Sequence, residues 1–73
     1  MNLLTITKHN DGTYARELLN YATYDEALSA LYMSLASAIA NENVLSQVAE
    51  LIDDDGRVAK CERYLKVQNK EGV

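Results

Sequence analysis

The stretch TYDEALSALYMSLASAIA, residues 23–40, decides the fold because it carries the signals of a single amphipathic helix. Thr23 and Glu26 have the spacing of a capping box, in which the threonine hydroxyl accepts from the Glu26 amide and the glutamate carboxylate bonds back. Apolar residues then recur at spacings of three and four, which is the period of one helix face. These residues are Tyr24, Leu28, Leu31, Leu35 and Ile39, flanked by Ala27, Tyr32 and Ala38. Asn41 and Asn43 favour a stop, so the sequence predicts a helix that ends near residue 42.

A turn signal on each side of this helix predicts two β-hairpins. Before the helix, Asn10-Asp11-Gly12 separates residues 3–7 from residues 13–19. After it, Asp53-Asp54-Asp55-Gly56 separates residues 44–52 from residues 57–67. A glycine that follows Asn or Asp accepts the positive φ that tight hairpin turns need. The last two segments also fit a helical face, so a helical alternative stays open there, although the Asp-Gly pair favours strands.

These elements predict an α+β fold of ββαββ order, an antiparallel sheet of about four strands with one helix packed on one face. We expect a single domain over residues 1–67 and a polar C-terminal tail over residues 68–73. Chains this short bury only about 60% of the surface that the unfolded form exposes, so many depend on disulfides, metals or association. Cys61 is the only cysteine and His9 the only histidine, too few for a disulfide or a structural zinc. Association with a second copy or another protein is therefore expected.

The order hairpin–helix–hairpin resembles small uncharacterised accessory proteins that bacterial phages and integrative elements carry. Three segments carry the resemblance: Tyr24-Asp25-Glu26-Ala27 opens the helix, Ala40-Asn41-Glu42-Asn43-Val44 closes it, and Asp55-Gly56-Arg57-Val58 forms the second turn. The resemblance brings no shared catalytic residue with it. It therefore implies a setting on a mobile element and no particular reaction.

No residue pattern predicts a catalytic, cofactor or metal site. Cys61 would need His9 as its base, and nothing in the sequence positions the two side chains together. A calcium loop with Gly56 at its sixth position would put Leu51 at the first ligand position, where an oxygen is required. We expect a protein that is not an enzyme and that takes no cofactor.

The side of the helix opposite its apolar stripe predicts a contact surface. No residue from Ala27 to Ala40 is charged, whereas a helix that covers one face of a sheet usually exposes charged residues. Small and weakly apolar residues would let another helix approach closely, and exposed apolar patches tend to mark partners. The predicted interaction residues on this side are Ala30, Met33, Ser37 and Ala40. The expected function is a small acidic protein-interaction module that forms a homo-oligomer or docks a protein partner.

Two alternative functions rest on charge. In the first, an acidic set would imitate phosphates in a basic cleft, as in a phage or mobile-element inhibitor of a host defence or nucleic-acid enzyme. That set is Glu50, Asp53, Asp54 and Asp55. In the second, basic residues of the last segment would form a β-ribbon that binds nucleic acid. Those residues are Arg57, Lys60, Arg63 and Lys66. The formal net charge of −4 argues against a general nucleic-acid binder.

The sequence also favours a protein of the cytoplasm. No stretch approaches the roughly 20 apolar residues of a membrane span, so no membrane association is expected. Residues 1–6 lack the basic leader of a signal peptide. A lone free thiol is typical of a reducing compartment.

Overall fold

The computed structural model describes residues 1–67, which form four strands and one helix. The strands are β1 (Asn2–His9), β2 (Tyr14–Asn20), β3 (Val44–Ile52) and β4 (Val58–Leu65). The helix α1 (Tyr24–Ala40) connects β2 to β3. The predicted ββαββ order is confirmed, and the segments with an open helical alternative are strands. The tail predicted at residues 68–73 lies outside the described residues.

The four strands form one antiparallel sheet of order β2-β1-β3-β4. Each hairpin supplies one central and one edge strand, because β1 and β3 pair with each other in the middle. The α1 crossover therefore carries the chain from the β2 edge back to the centre of the sheet. This topology leaves β2 and β4 as the two edges.

The first hairpin turn forms as the Asp-Gly signal predicts. Gly12 has φ of 89°, a left-handed conformation that side chains other than that of glycine rarely adopt. One carboxylate oxygen of Asp11 accepts from the Thr13 amide at 3.0 Å and from the Thr13 hydroxyl at 2.7 Å. These bonds lower the pKa of Asp11 below its ordinary value, because they stabilise the charged form.

The capping box at the start of α1 is also confirmed. The Thr23 hydroxyl accepts from the Glu26 amide at 3.1 Å, and the Glu26 carboxylate accepts from the Thr23 amide at 3.2 Å. The helix ends at Ala40 with Asn41 as its C-cap. The polar residue that follows the apolar stripe thus sets the end of the helix within two residues of the predicted position.

The predicted apolar stripe of α1 is wrong at its two ends. The residues that α1 buries are Ala27, Leu31, Leu35 and Ala38. Ile39 is 58% exposed, and Tyr24 at the first helical position is exposed as well. Each four-residue step turns about 40° past a full helical turn, so a stripe built on such steps rotates away from the sheet. The flanking residue Ala38 is buried at this end of the helix, and Ile39 is not.

The core lies between α1 and the two central strands. Leu31 and Leu51 are its largest fully buried side chains, and Leu3 packs beside them. Ala27 and Ala49 are also completely buried. These two small residues allow the helix backbone to approach the sheet closely, so α1 packs mainly on β3 and less on β1 and β4.

Candidate interaction surfaces

The sheet face opposite α1 has no covering element among residues 1–67, and we call it the open face. Every second residue of β1 points to this side. The residues paired with them on the neighbouring strands point the same way, because directly paired residues share one side of a sheet. The central strands give it the half-buried Leu4, Ile6, Val48 and Ile52. The edge strands add Tyr14, Leu18, Cys61 and Leu65, all of them exposed.

The open face has a net positive charge, whereas the chain as a whole has a net negative charge. Lys8 and Arg16 flank the Tyr14 ring, with Nζ and Cζ at 5.8 Å and 5.6 Å from its centroid. Arg63 lies opposite Val48 on the β4 edge. Glu50 is the acidic member of this face. Three cations therefore accompany one anion here, although the whole chain has a formal net charge of −4.

A groove lies on the other side of the sheet, where α1 leaves β2 uncovered. This α1–β2 groove has a volume of about 480 Å³, in the size range of ligand pockets. Its floor is formed by Leu3 and Thr5 of β1. Its β2 side is formed by Glu17, Leu19 and, just after the strand, Tyr21.

The helix wall of this groove contains three of the four helix residues predicted to make contacts. Ala30, Met33 and Ser37 line the groove, and Ala40 does not. Glu26 and Ser29 continue the wall toward the start of α1. Three of the predicted helix residues therefore face the β2 side of the sheet, and Met33 and Ser37 among them are exposed.

Sequence reasoning missed the β1 and β2 residues of the groove. Period-two alternation puts Glu17 and Leu19 on one face of β2, so their shared side was readable. The sequence did not indicate that α1 packs over β3 and leaves that side of β2 uncovered.

The predicted acidic set is divided between a strand and the turn that follows it. Glu50 lies on the open face, because it pairs with Leu4 and Cys61. The three aspartates belong to the β3–β4 turn at the end of the sheet. Asp53 is part of that turn's structure, since one of its carboxylate oxygens accepts from the Asp55 and Arg57 amides at 2.9 Å.

The basic residues of the last segment are divided as well. Arg63 is on the open face, whereas Lys60 pairs with Leu51 on the helix side. The Lys60 ammonium lies 3.4 Å from the Glu62 carboxylate. Hydrogen bonding to Tyr32, and then to Glu62, raises the pKa of Lys60 above its ordinary value. Lys66 donates to the backbone oxygen of Glu42 at 2.8 Å. Lys60 and Arg63 therefore lie on opposite faces of β4.

Cys61 and His9, which the sequence offered as a nucleophile and its base, lie apart in the structure. Cys61 lies on the open face of β4, whereas His9 lies at the end of β1 beside the buried Val44. Within residues 1–67, no group of three or more His, Cys, Asp or Glu side chains could hold a metal ion. The helix in this part of the chain is not long and apolar enough to cross a membrane.

The fold and these surfaces define a two-layer α+β domain with one covered and one open sheet face. Comparison with protein-family models, with curated proteins and with solved structures gives no match. The resemblance to accessory proteins of phages and integrative elements therefore stays a prediction.

Proposed function

We propose that this chain is a non-catalytic protein-interaction module that self-associates by packing two open faces against each other. The observation that carries the proposal is the composition of the open face. An antiparallel sheet with one solvated face usually exposes polar residues there. Here Leu18 is 64% exposed and Leu65 is 74% exposed, and apolar residues of the central strands lie between them.

The dimensions of the open face suit a small dimer interface. Four strands about 4.8 Å apart, paired over about 23 Å, give a projected area of about 440 Å² per face. Two such faces together project about 880 Å². Side-chain relief makes the accessible area larger than this projection, toward the roughly 1,200 Å² at which specific interfaces begin. A second copy therefore provides an occupant that matches this area.

The charge distribution on the open face is compatible with a two-fold contact. Arg16 and Arg63 lie on the edge strands, where they stay hydrated at the rim of an interface. Leu4 and Val48 lie on the central strands, where burial is greatest. Glu50 would need a cation in such a contact, and the cations of a second copy can supply it.

Sedimentation of two matched lysine variants tests this proposal. Wild-type protein at tens of micromolar should sediment as a dimer, and Leu18→Lys should sediment as a monomer, because it adds a fourth cation to each open face. Ile39→Lys is the control, since Ile39 is similarly exposed but lies on α1. It should remain dimeric, and circular dichroism should show both variants folded. A monomeric wild type, or a dimer that survives Leu18→Lys, would refute self-association through this face.

A further inference from the structure

The helix layer of this domain covers only part of the sheet. Four strands at about 4.8 Å spacing are about 19 Å wide, whereas a helix with its side chains is about 10 Å wide. The sheet therefore has room for two helices side by side. α1 packs mainly on β3, with smaller contacts to β1 and β4. The vacant position lies over β1 and β2, and the α1–β2 groove occupies it.

We propose that the α1–β2 groove binds an amphipathic helix of a partner protein that carries basic residues beside its apolar stripe. This site is on the opposite side of the sheet from the open face. It is therefore separate from self-association and can be tested separately.

The apolar part of the groove matches the stripe of such a helix. Leu3 and Leu19 form adjacent parts of the floor, because they pair directly across β1 and β2. Met33 lies on the helix wall and is 68% exposed. Ala30 and Ser37 on the same wall are small, so a second helix can pack closely against α1.

The charge of the groove selects a basic partner. Glu17 and Glu26 are its charged residues, and no Lys or Arg lines it. Glu26 uses one carboxylate oxygen for the capping box, which leaves the other available to a ligand. The α1 helix of a second copy does not fit this requirement, because Tyr24–Ala40 contains no Lys or Arg and begins with two acidic residues. Charge complementarity therefore favours a different protein over a second copy.

A buried hydroxyl in the floor gives independent support for a ligand. Thr5 is 6% exposed, and it lines the groove. Its neighbour Thr7 accepts a hydrogen bond from Gln47. The Thr5 hydroxyl, in contrast, has no hydrogen-bond partner in the part of the chain that the structure describes. Buried polar side chains usually have a partner, and a polar residue of a docked helix could supply it.

The test is a display selection with a defined peptide library. Each 18-residue member keeps Leu and Ala at positions i, i+3, i+4 and i+7, and the flanking positions vary among Lys, Glu, Gln and Ser. Selection against the full-length wild-type chain should enrich Lys over Glu at the flanking positions. If no member is enriched, or if the enriched members are acidic or uncharged, the proposal is wrong.

Two pairs of variants then locate the binding site of an enriched, fluorescently labelled peptide. Ser37→Arg should weaken binding at least tenfold, whereas Ala36→Arg, on the exposed helix surface outside the groove, should change it less than twofold. Glu17→Lys should also weaken binding at least tenfold, whereas Asp54→Lys in the β3–β4 turn should not. Equal binding by Ser37→Arg and Ala36→Arg would overturn the assignment. Loss of binding in Leu18→Lys would place the peptide on the open face and would also overturn it.

Discussion

The buried amide of Gln47 gives a quantitative test of how α1 is held on the sheet. Gln47 is 6% exposed. Its Oε1 accepts from the Ser34 hydroxyl on α1 at 3.1 Å, and its Nε2 donates to the Thr7 hydroxyl on β1 at 3.0 Å. One side chain of β3 therefore connects the helix to the neighbouring strand. Ser34→Ala removes a partner of this amide and leaves its oxygen buried without a hydrogen bond.

The expected cost of Ser34→Ala follows from that burial. An unsatisfied buried polar group costs about 1–3 kcal/mol, and the half-buried position of Ser34 lets water approach, so we expect about 1.5 kcal/mol. Gln47→Met replaces the amide with an apolar chain of similar length and should cost less than about 1 kcal/mol. In the Gln47→Met background no buried amide remains. Ser34→Ala should then cost close to zero.

Urea denaturation followed by circular dichroism measures all four proteins of this cycle. With a slope of about 1 kcal/mol/M, Ser34→Ala alone should lower the urea midpoint by about 1.5 M. Protein concentration must be fixed, because self-association makes stability depend on it. Ser37→Ala is the control for the serine-to-alanine change, since Ser37 is exposed on the same helix. If Ser34→Ala costs the same in both backgrounds, within about 0.5 kcal/mol, the hydrogen bond does not contribute as described.

Two further predictions concern the local signals that define the elements. Thr23→Ala should lower the free energy of unfolding by about 1 kcal/mol, because the Glu26 amide loses its acceptor, while Thr23→Ser should retain most of the stability; an equal loss in both thermal melts would contradict the capping role. Asp11 should titrate below its ordinary pKa in an NMR titration, and Thr13→Val should raise that pKa toward the ordinary value. Because the fold lowers this pKa, the stability that the ionised Asp11 contributes is complete above the unfolded-state pKa and is lost as the pH falls through the folded-state pKa. An Asp11 pKa at its ordinary value in the wild type would contradict this contribution.

The sequence predicts the elements of this fold because their signals are local. The capping box needs only Thr23 and Glu26, three residues apart. Each hairpin needs an Asp-Gly pair, and both Gly12 and Gly56 adopt the positive φ that this signal implies. These effects act over a few bonds, so the surrounding structure does not need to be known.

The candidate surfaces were less predictable because they depend on how the elements pack together. Met33 and Ser37 were predicted to make contacts from the lack of charge on α1, and the structure places both on the groove wall. Leu19 of the same groove was missed, because its role depends on where the helix lies over the sheet. Glu50 was predicted to act together with Asp53 as one acidic set, and the structure places Glu50 on the open face and Asp53 in the β3–β4 turn.

The uncovered surfaces follow from the ratio of helix to sheet in so short a chain. A 17-residue helix is about 25 Å long and about 10 Å wide, and it covers roughly half of one face of a four-stranded sheet. Within residues 1–67, no element covers the remaining half of that face or the other face. Solvent exposure would favour charged and polar residues at these positions. The leucines at residues 18, 19 and 65 are instead all exposed, on both faces of the sheet, which is the composition expected if association covers the surfaces that residues 1–67 leave bare.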